Sequence, residues 1–227
     1  MISVLVPTRN RPDNVRRLLE SARATATSDV EFMFYVDVDD PNQLDTLNAI
    51  HAYDGHVVTG ERIVLSEMWN VCAKAALNDV MMHCGDDIIF RSNGWDQRVL
   101  DTFDDCDDKI LFVHGNDLSQ QGQLGTHGFL HRRWTDAVGY FVPPYFSSDM
   151  NDLWLTEVAD TLGRRCYLSD VITEHMHPLF GKGEWDQTHQ ERLTRHSRDD
   201  VAALYQRLAP ERANDVVKLQ AVINGDG

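Results

Sequence analysis

Short apolar runs alternate with helical stripes along this 227-residue chain. Ile2 to Val6 is apolar apart from Ser3, which predicts a buried strand, and Pro7 ends it because proline cannot donate to a sheet ladder. Behind Asp13, a capping residue, Val15, Leu18, Leu19 and Ala22 recur at helical spacing while Arg16, Arg17 and Arg23 occupy other faces. Phe32 to Val36 predicts a second strand, Asn42 to His51 a short helix, Arg62 to Leu65 a third strand, and Ser66 to Leu77 a helix. Val80 to Cys84 follows as a fourth strand, and Gly94 to Phe103 is a helix with Trp95, Val99 and Leu100 on one side. This alternation predicts an α/β fold of Rossmann-like type, with a mainly parallel central sheet flanked by helices.

The second half has a different texture. Ile110 to His114 and Gly128 to His131 read as strands, and the Gly-, Gln- and Asn-rich loop Gly115 to Gly125 between them is long enough to imply a binding role. Tyr140 to Ser148, with Pro143-Pro144 and several aromatics, predicts irregular structure. Asp149 to Leu162 is an amphipathic helix ended by Gly163, and Arg165 to Leu168 is the last strand. Thr188 to Ile223 is helical and rich in charge.

Two of the apolar strands end in carboxylates: Phe32 to Val36 runs into Asp37, Asp39 and Asp40, and Val80 to Cys84 into Gly85, Asp86 and Asp87. Strand carboxyl ends are where open α/β sheets bind ligands, and adjacent like charges in a water-poor crevice call for a divalent cation. A cation there carries phosphates. Pro7-Thr8-Arg9-Asn10-Arg11-Pro12 joins the first strand to a helix start, so its amides, hydroxyl and guanidiniums can meet a diphosphate or a base; a solvated turn is the plain alternative. A carboxylate beyond the second strand can accept from a base N–H or a ribose hydroxyl, while Asp40 could equally cap the following helix. Asp149 and Asp152 fall on a predicted first helical turn, where a carboxylate is either a cap or a general base. His175 and His177 alternate along an extended segment, so at most one of them faces a metal at a time. Trp69, Trp95, Trp134 and Trp154 read as core, whereas Tyr145 and Trp185, on loops, are candidates for stacking on a sugar.

Composition narrows the classes. The net charge of −15 and a sequence pI near 4.9 disfavour non-specific binding to nucleic acid or to an anionic membrane. The cysteines Cys72, Cys84, Cys106 and Cys166 have no ligand-like spacing and read as reduced thiols. Ile2 to Val6 is far shorter than the ~20 apolar residues of a membrane span, which predicts a soluble, cytoplasmic protein.

Taken in order, these segments resemble the family-two glycosyltransferases with the GT-A fold, which transfer a sugar from a nucleotide diphosphate. Val4 to Arg11 looks like that family's opening strand and loop, Asp37-Val38-Asp39-Asp40 like its second acidic strand end, and Gly85-Asp86-Asp87 like its metal motif. Asn70 is similar to the asparagine of the helix preceding that motif. Val138-Gly139-Tyr140-Phe141 with Ser148 to Asp152 looks like the Gly-aromatic segment and the acidic pair holding the catalytic base, and Glu174-His175-Met176-His177-Pro178 with Gly181-Lys182 like the late histidine motif. Two positions depart from the pattern: Gly85 stands where the family has its first metal-motif aspartate, and Pro41-Asn42 replace a Gly-Ser.

The resemblance implies a glycosyltransferase domain over 1–186, with a nucleotide-sugar half (1–103) and an acceptor half (104–186), and a helical extension over 187–227. It implies Mn²⁺ or Mg²⁺ held by Asp87 with His175 or His177. Pro7, Thr8, Arg9, Arg11, Asp39, Asn70, Asp86 and Lys182 fall on the donor side, and Tyr145, Asp152 and Trp185 on the acceptor side. Asp149 is the implied base of an inverting transfer, and a UDP-sugar the implied donor. The acceptor would be a soluble protein, glycan or small molecule or, less favoured by the acidic charge, a modified DNA base. A sugar-phosphate nucleotidyltransferase would need a glycine in the loop after the first strand, and there is none. A non-catalytic nucleotide- or glycan-binding module is the other alternative, prompted by Gly85.

Overall fold

Eight strands form one sheet in the computed structural model, which describes residues 1–225. The first half contains β1 (Ile2–Thr8), α1 (Pro12–Thr25), β2 (Val30–Asp37), α2 (Gln43–His51), β3 (His56–Gly60), α3 (Leu65–Ala75), β4 (Val80–His83), β5 (Ile88–Phe90) and α4 (Trp95–Asp104). The second contains β6 (Phe112–Asn116), β7 (Gly128–His131), α5 (Arg132–Val138), α6 (Asn151–Leu162), β8 (Arg165–His175), α7 (Gln187–Arg198), α8 (Val201–Arg207) and α9 (Ala209–Asn224). The last two positions of the expected C-terminal extension, 226–227, lie outside the described residues.

The strand order is β3-β2-β1-β4-β7-β6-β8-β5. Four pairings are parallel (β1–β2, β1–β4, β2–β3, β6–β8) and three antiparallel (β4–β7, β6–β7, β5–β8). The period of two in the apolar strands sorts their residues into two layers. Val4, Val6, Phe32, Phe34 and Met82 meet α1, α2 and α4 on one face. Leu5, Met33, Tyr35 and Met81 meet α3, α5 and α6 on the other, where Val201, Tyr205 and Leu219 of α8 and α9 join the same core. The C-terminal helices are therefore packed into the body. Trp69, Trp95, Trp134 and Trp154 are buried, and all four cysteines are free thiols.

Several elements differ from the expectation. The third strand is His56–Gly60, not Arg62 to Leu65: it is an edge strand with a mostly exposed, polar face, so it lacks the apolar run used to find strands. Ile63 and Leu65 instead pack from a loop and the first turn of α3. β5 was not expected, because its three residues follow directly on the acidic turn. β8 continues past Leu168 to His175, across polar residues 169–170 and an irregularity opposite Gly115/Asn116. α1 begins at Pro12, which places Asp13 in the first turn rather than at the cap. α6 begins at Asn151, so Asp149 precedes the helix and does not cap it.

Candidate active site

β1 stands between β2 and β4, where the strand order changes direction, so Thr8, Asp37 and the Gly85-Asp86-Asp87 turn meet in one crevice at the carboxyl ends of the strands. A cavity of about 370 Å³ opens there, and the loop over residues 115–125 contributes Gln120 and Leu124 to its wall. Trp69 ties two of the strand ends together by donating its indole N–H toward the carbonyls of Leu5 and Cys84 (3.2 and 3.3 Å).

The loop after β1 is built around buried carboxylates. Thr8 Oγ1 donates to Asp86 Oδ2 (2.8 Å), and Arg11 Nη1 donates to Asp86 Oδ1 (3.0 Å). Burial pushes the Asp86 carboxyl up, Arg11 opposes that shift, and neighbouring Asp87 adds to it. Arg11 turns its other edge to Asp186, just ahead of α7, in a bidentate pair of 2.6 and 2.8 Å. Burial opposes ionisation of Asp186, yet Arg11 holds its pKa down to about 2. Arg9 bridges Asp37 (3.0 Å) and Asp39 (2.5 Å). Asp37 is buried in the cavity wall with Oδ1 unpartnered, whereas Asp39 sits at an exposed rim. Asp40 accepts from the Asn10 and Asn42 amides and so shapes the turn.

Asp87, His127 and His175 each offer a ligand atom, all within 4.8 Å of one another. His175 Nε2 lies 3.3 Å from Asp87 Oδ2, and His175 Nδ1 and His127 Nε2 are buried without partners. Burial opposes ionisation of Asp87, but His175 and Arg11 outweigh it and keep the carboxylate below its usual range. Burial also lowers His127, leaving a neutral imidazole. One carboxylate and two imidazoles with open nitrogens suit a divalent cation. His177 takes a different role: Nδ1 accepts from the Leu179 amide (3.2 Å) and Nε2 meets Arg192 (3.1 Å), so neither nitrogen is open. The strand stops at His175, and so both rings face the cavity rather than opposite sides as alternation predicts.

On the far wall, Asp149 has a φ of 26° and Met150 one of 69°, a left-handed pair without glycine. Such strain accumulates at functional sites. Arg192 Nε and His196 Nδ1, both from α7, lie 2.7 Å from the two oxygens of Asp149. Asp152 also lines the cavity; burial raises its pKa to about 6, against a hydrogen bond from the Leu153 amide.

Pro7, Thr8, Arg9, Arg11, Asp86, Asp87, Asp149, Asp152, His175 and His177 thus converge on one cavity. Asn70 lies outside its walls and holds backbone instead: its amide donates to the Ser66 and Val142 carbonyls and accepts from the Phe141 and Val142 N–H groups. Lys182 pairs with Glu174 at 3.1 Å. Tyr145 packs on Trp154 and Phe146, and Trp185 packs edge-on against His177 and His189. Sequence reasoning did not single out His127, Asp186, Arg192 or His196. The one local signal is the helix cap at Asp186, which forms a capping box with His189.

Known structures share this architecture. Mannosyltransferase PcManGT from Pyrobaculum calidifontis, solved in complex with GDP-Man and Mn²⁺, superposes with a TM-score of 0.63 at 14% identity, covering 99% of this chain and 74% of that one. S. aureus TarS 1–349 in complex with UDP gives 0.60 at 16% identity, covering 98% and 80%. A longer TarS chain gives 0.61 at 15% identity over 86% of this chain, which spans 43% of its length. Glucosyl-3-phosphoglycerate synthase from Mycobacterium tuberculosis, with Mn²⁺, UDP and glucosyl-3-phosphoglycerate, gives 0.57 at 15% identity, covering 80% and 74%. No curated protein matches the chain. At these identities the likeness carries the fold. Family membership comes from the sequence itself: the model of glycosyl transferase family 2 matches residues 3–160, and the chain belongs to that family.

Proposed function

We propose that the protein transfers a sugar from a UDP-sugar to an acceptor hydroxyl, with inversion at the sugar carbon. The observation that carries this reading is the meeting of Asp87 and His175 at the carboxyl end of β4, beneath the Thr8–Arg11 loop. Asp87 and His175 would hold Mn²⁺ or Mg²⁺, and the bound cation supplies charge neutralisation to the departing diphosphate. Arg11 and Thr8 line the same place. Asp37, whose buried Oδ1 has no partner, supports recognition of a base N–H, and Asp39 would accept from a ribose hydroxyl. Asp149 would take the acceptor proton as the hydroxyl oxygen bonds to the sugar carbon. The bond from that carbon to the phosphate oxygen breaks at the same time, and its electron pair leaves with the diphosphate.

UDP is favoured because TarS and glucosyl-3-phosphoglycerate synthase were solved with it; PcManGT, solved with GDP-Man, makes GDP the competing donor. Within this reading residues 1–103 bind donor, 104–186 bind acceptor and 187–227 are an extension whose α7 completes the acceptor wall. The free thiols suit a cytoplasmic setting.

The test is release of nucleoside diphosphate from a panel of UDP- and GDP-sugars with Mn²⁺, offered to sugars, glycans and proteins as acceptors. Release from one nucleotide class, abolished in Asp87→Asn, supports the proposal. Release that ignores Asp87→Asn overturns the metal-assisted reading.

A further inference from the structure

Gly85 occupies the position of an expected ligand, and the reason it carries no side chain is visible in the structure. A Cβ on Gly85 would lie 2.6 Å from Asp87 Oδ1 and 3.3 Å from His127 Cε1. The imidazole beside that space arrives immediately ahead of β7, which runs antiparallel to β4 with Gly128 opposite His83. His127 is only 8% exposed, its Nε2 has no partner, and its ring stands edge-on to His175 with centroids 4.8 Å apart. Asp86 is unsuited to the same task, because Thr8 and Arg11 engage both of its oxygens.

We propose that His127 is a metal ligand in place of the absent carboxylate, making a centre of Asp87, His127 and His175 that prefers Mn²⁺ and Co²⁺ to Mg²⁺. This rests on the metal-assisted reading above. Exchanging a carboxylate for a neutral imidazole removes one negative charge and one hard oxygen. Mg²⁺ depends on oxygen ligands, whereas imidazole suits borderline transition cations. Ligation through Nε2 places the ring proton on Nδ1, so the long 3.3 Å contact from the Gly85 N–H to Nδ1 is given up. Glycine lets that peptide turn more freely than any other residue.

The experiment uses the full chain freed of metal, without nucleotide. Mn²⁺ binding is followed by electron paramagnetic resonance with Mg²⁺ as competitor, and Co²⁺ binding by its visible absorption. Wild type should keep Mn²⁺ against a large excess of Mg²⁺, and the electron spin echo of bound Mn²⁺ should count two imidazole nitrogens. His127→Gln, which retains an acceptor for the Gly85 amide, should weaken Mn²⁺ and Co²⁺ by more than about tenfold, the least that losing even an outer partner of a metal ligand costs. A single coordinated imidazole in wild type overturns the proposal without depending on any variant. Unchanged binding in His127→Gln, with loss in Asp87→Asn, overturns it too and leaves the metal-assisted reading intact. If wild type binds neither Mn²⁺ nor Co²⁺, both fall.

Discussion

Arg192 donates its Nε–H to Oδ1 of Asp149 at 2.7 Å, which ties α7 to the carboxylate just ahead of α6. His196 lies 2.7 Å from the other oxygen, so the proposed base is oriented and covered by one helix. Asp152, with a burial-raised pKa of about 6, is the rival carboxylate in the same wall. Asp149→Asn should lower kcat by roughly 10²- to 10⁴-fold with nucleotide affinity unchanged, as loss of a general base does. Asp152→Asn should cost far less. Steady-state kinetics of the two variants decide, and the reverse order would make Asp152 the base.

Arg11 joins two carboxylates from distant parts of the chain, Asp86 and Asp186. Arg11→Ala leaves Asp86 buried without its cation, and removing one partner of a buried pair typically costs about 3–5 kcal/mol. Since Asp186 keeps a partly exposed edge, about 3 kcal/mol is expected. Urea denaturation measures it, and Asp86→Asn in the Arg11→Ala background should recover part of the loss.

Asn70 uses both ends of its amide on backbone groups, two of them donors in the segment Phe141-Val142. Asn70→Ala strands those buried N–H groups at about 1–3 kcal/mol apiece before any relaxation. Stability should fall by roughly 2–4 kcal/mol. Because that segment leads to Asp149, kcat should fall while the Kd for UDP holds; a donor-binding role would show the opposite split. Calorimetry and kinetics on one preparation separate the two.

His83 is fully enclosed between Trp69 and Phe112, and burial pushes its pKa down to about 4. The unfolded chain takes up this proton near 6.5 while the folded protein resists until about 4, so the unfolded state binds more protons in that window. The stabilisation is complete above about pH 6.5 and is lost progressively as pH falls toward 4, at about 2 kcal/mol between pH 7 and pH 5. His127, His114 and His177 are lowered by burial in the same sense, while Asp152, raised to about 6, contributes with the opposite sign. His83→Leu should flatten the acid limb by about that 2 kcal/mol, read as denaturation midpoints at the two pH values.

The buried strands were legible because Ile2 to Val6, Phe32 to Val36 and Val80 to Cys84 are apolar on both faces apart from Ser3 and His83, and the acidic residues that end the second and fourth strands could be read directly. His56–Gly60 was not, since an edge strand carries little apolar signal. Asp87 and His175 could be proposed from order and spacing. His127 could not: it stands alone between Thr126 and Gly128, and only the antiparallel pairing of β7 with β4 brings it to Gly85. Asp186, Arg192 and His196 belong to a charge-rich stretch in which nothing local says which side chains turn inward. Their partners, Arg11 and Asp149, lie 175, 43 and 47 residues away.

The most direct test of the central claim is isothermal titration of UDP into the protein with and without Mn²⁺, in wild type and in Asp87→Asn. The account predicts binding that Mn²⁺ strengthens in wild type, and loss of that Mn²⁺-dependent gain in Asp87→Asn. UDP affinity that is indifferent to Mn²⁺ and to Asp87 would contradict it.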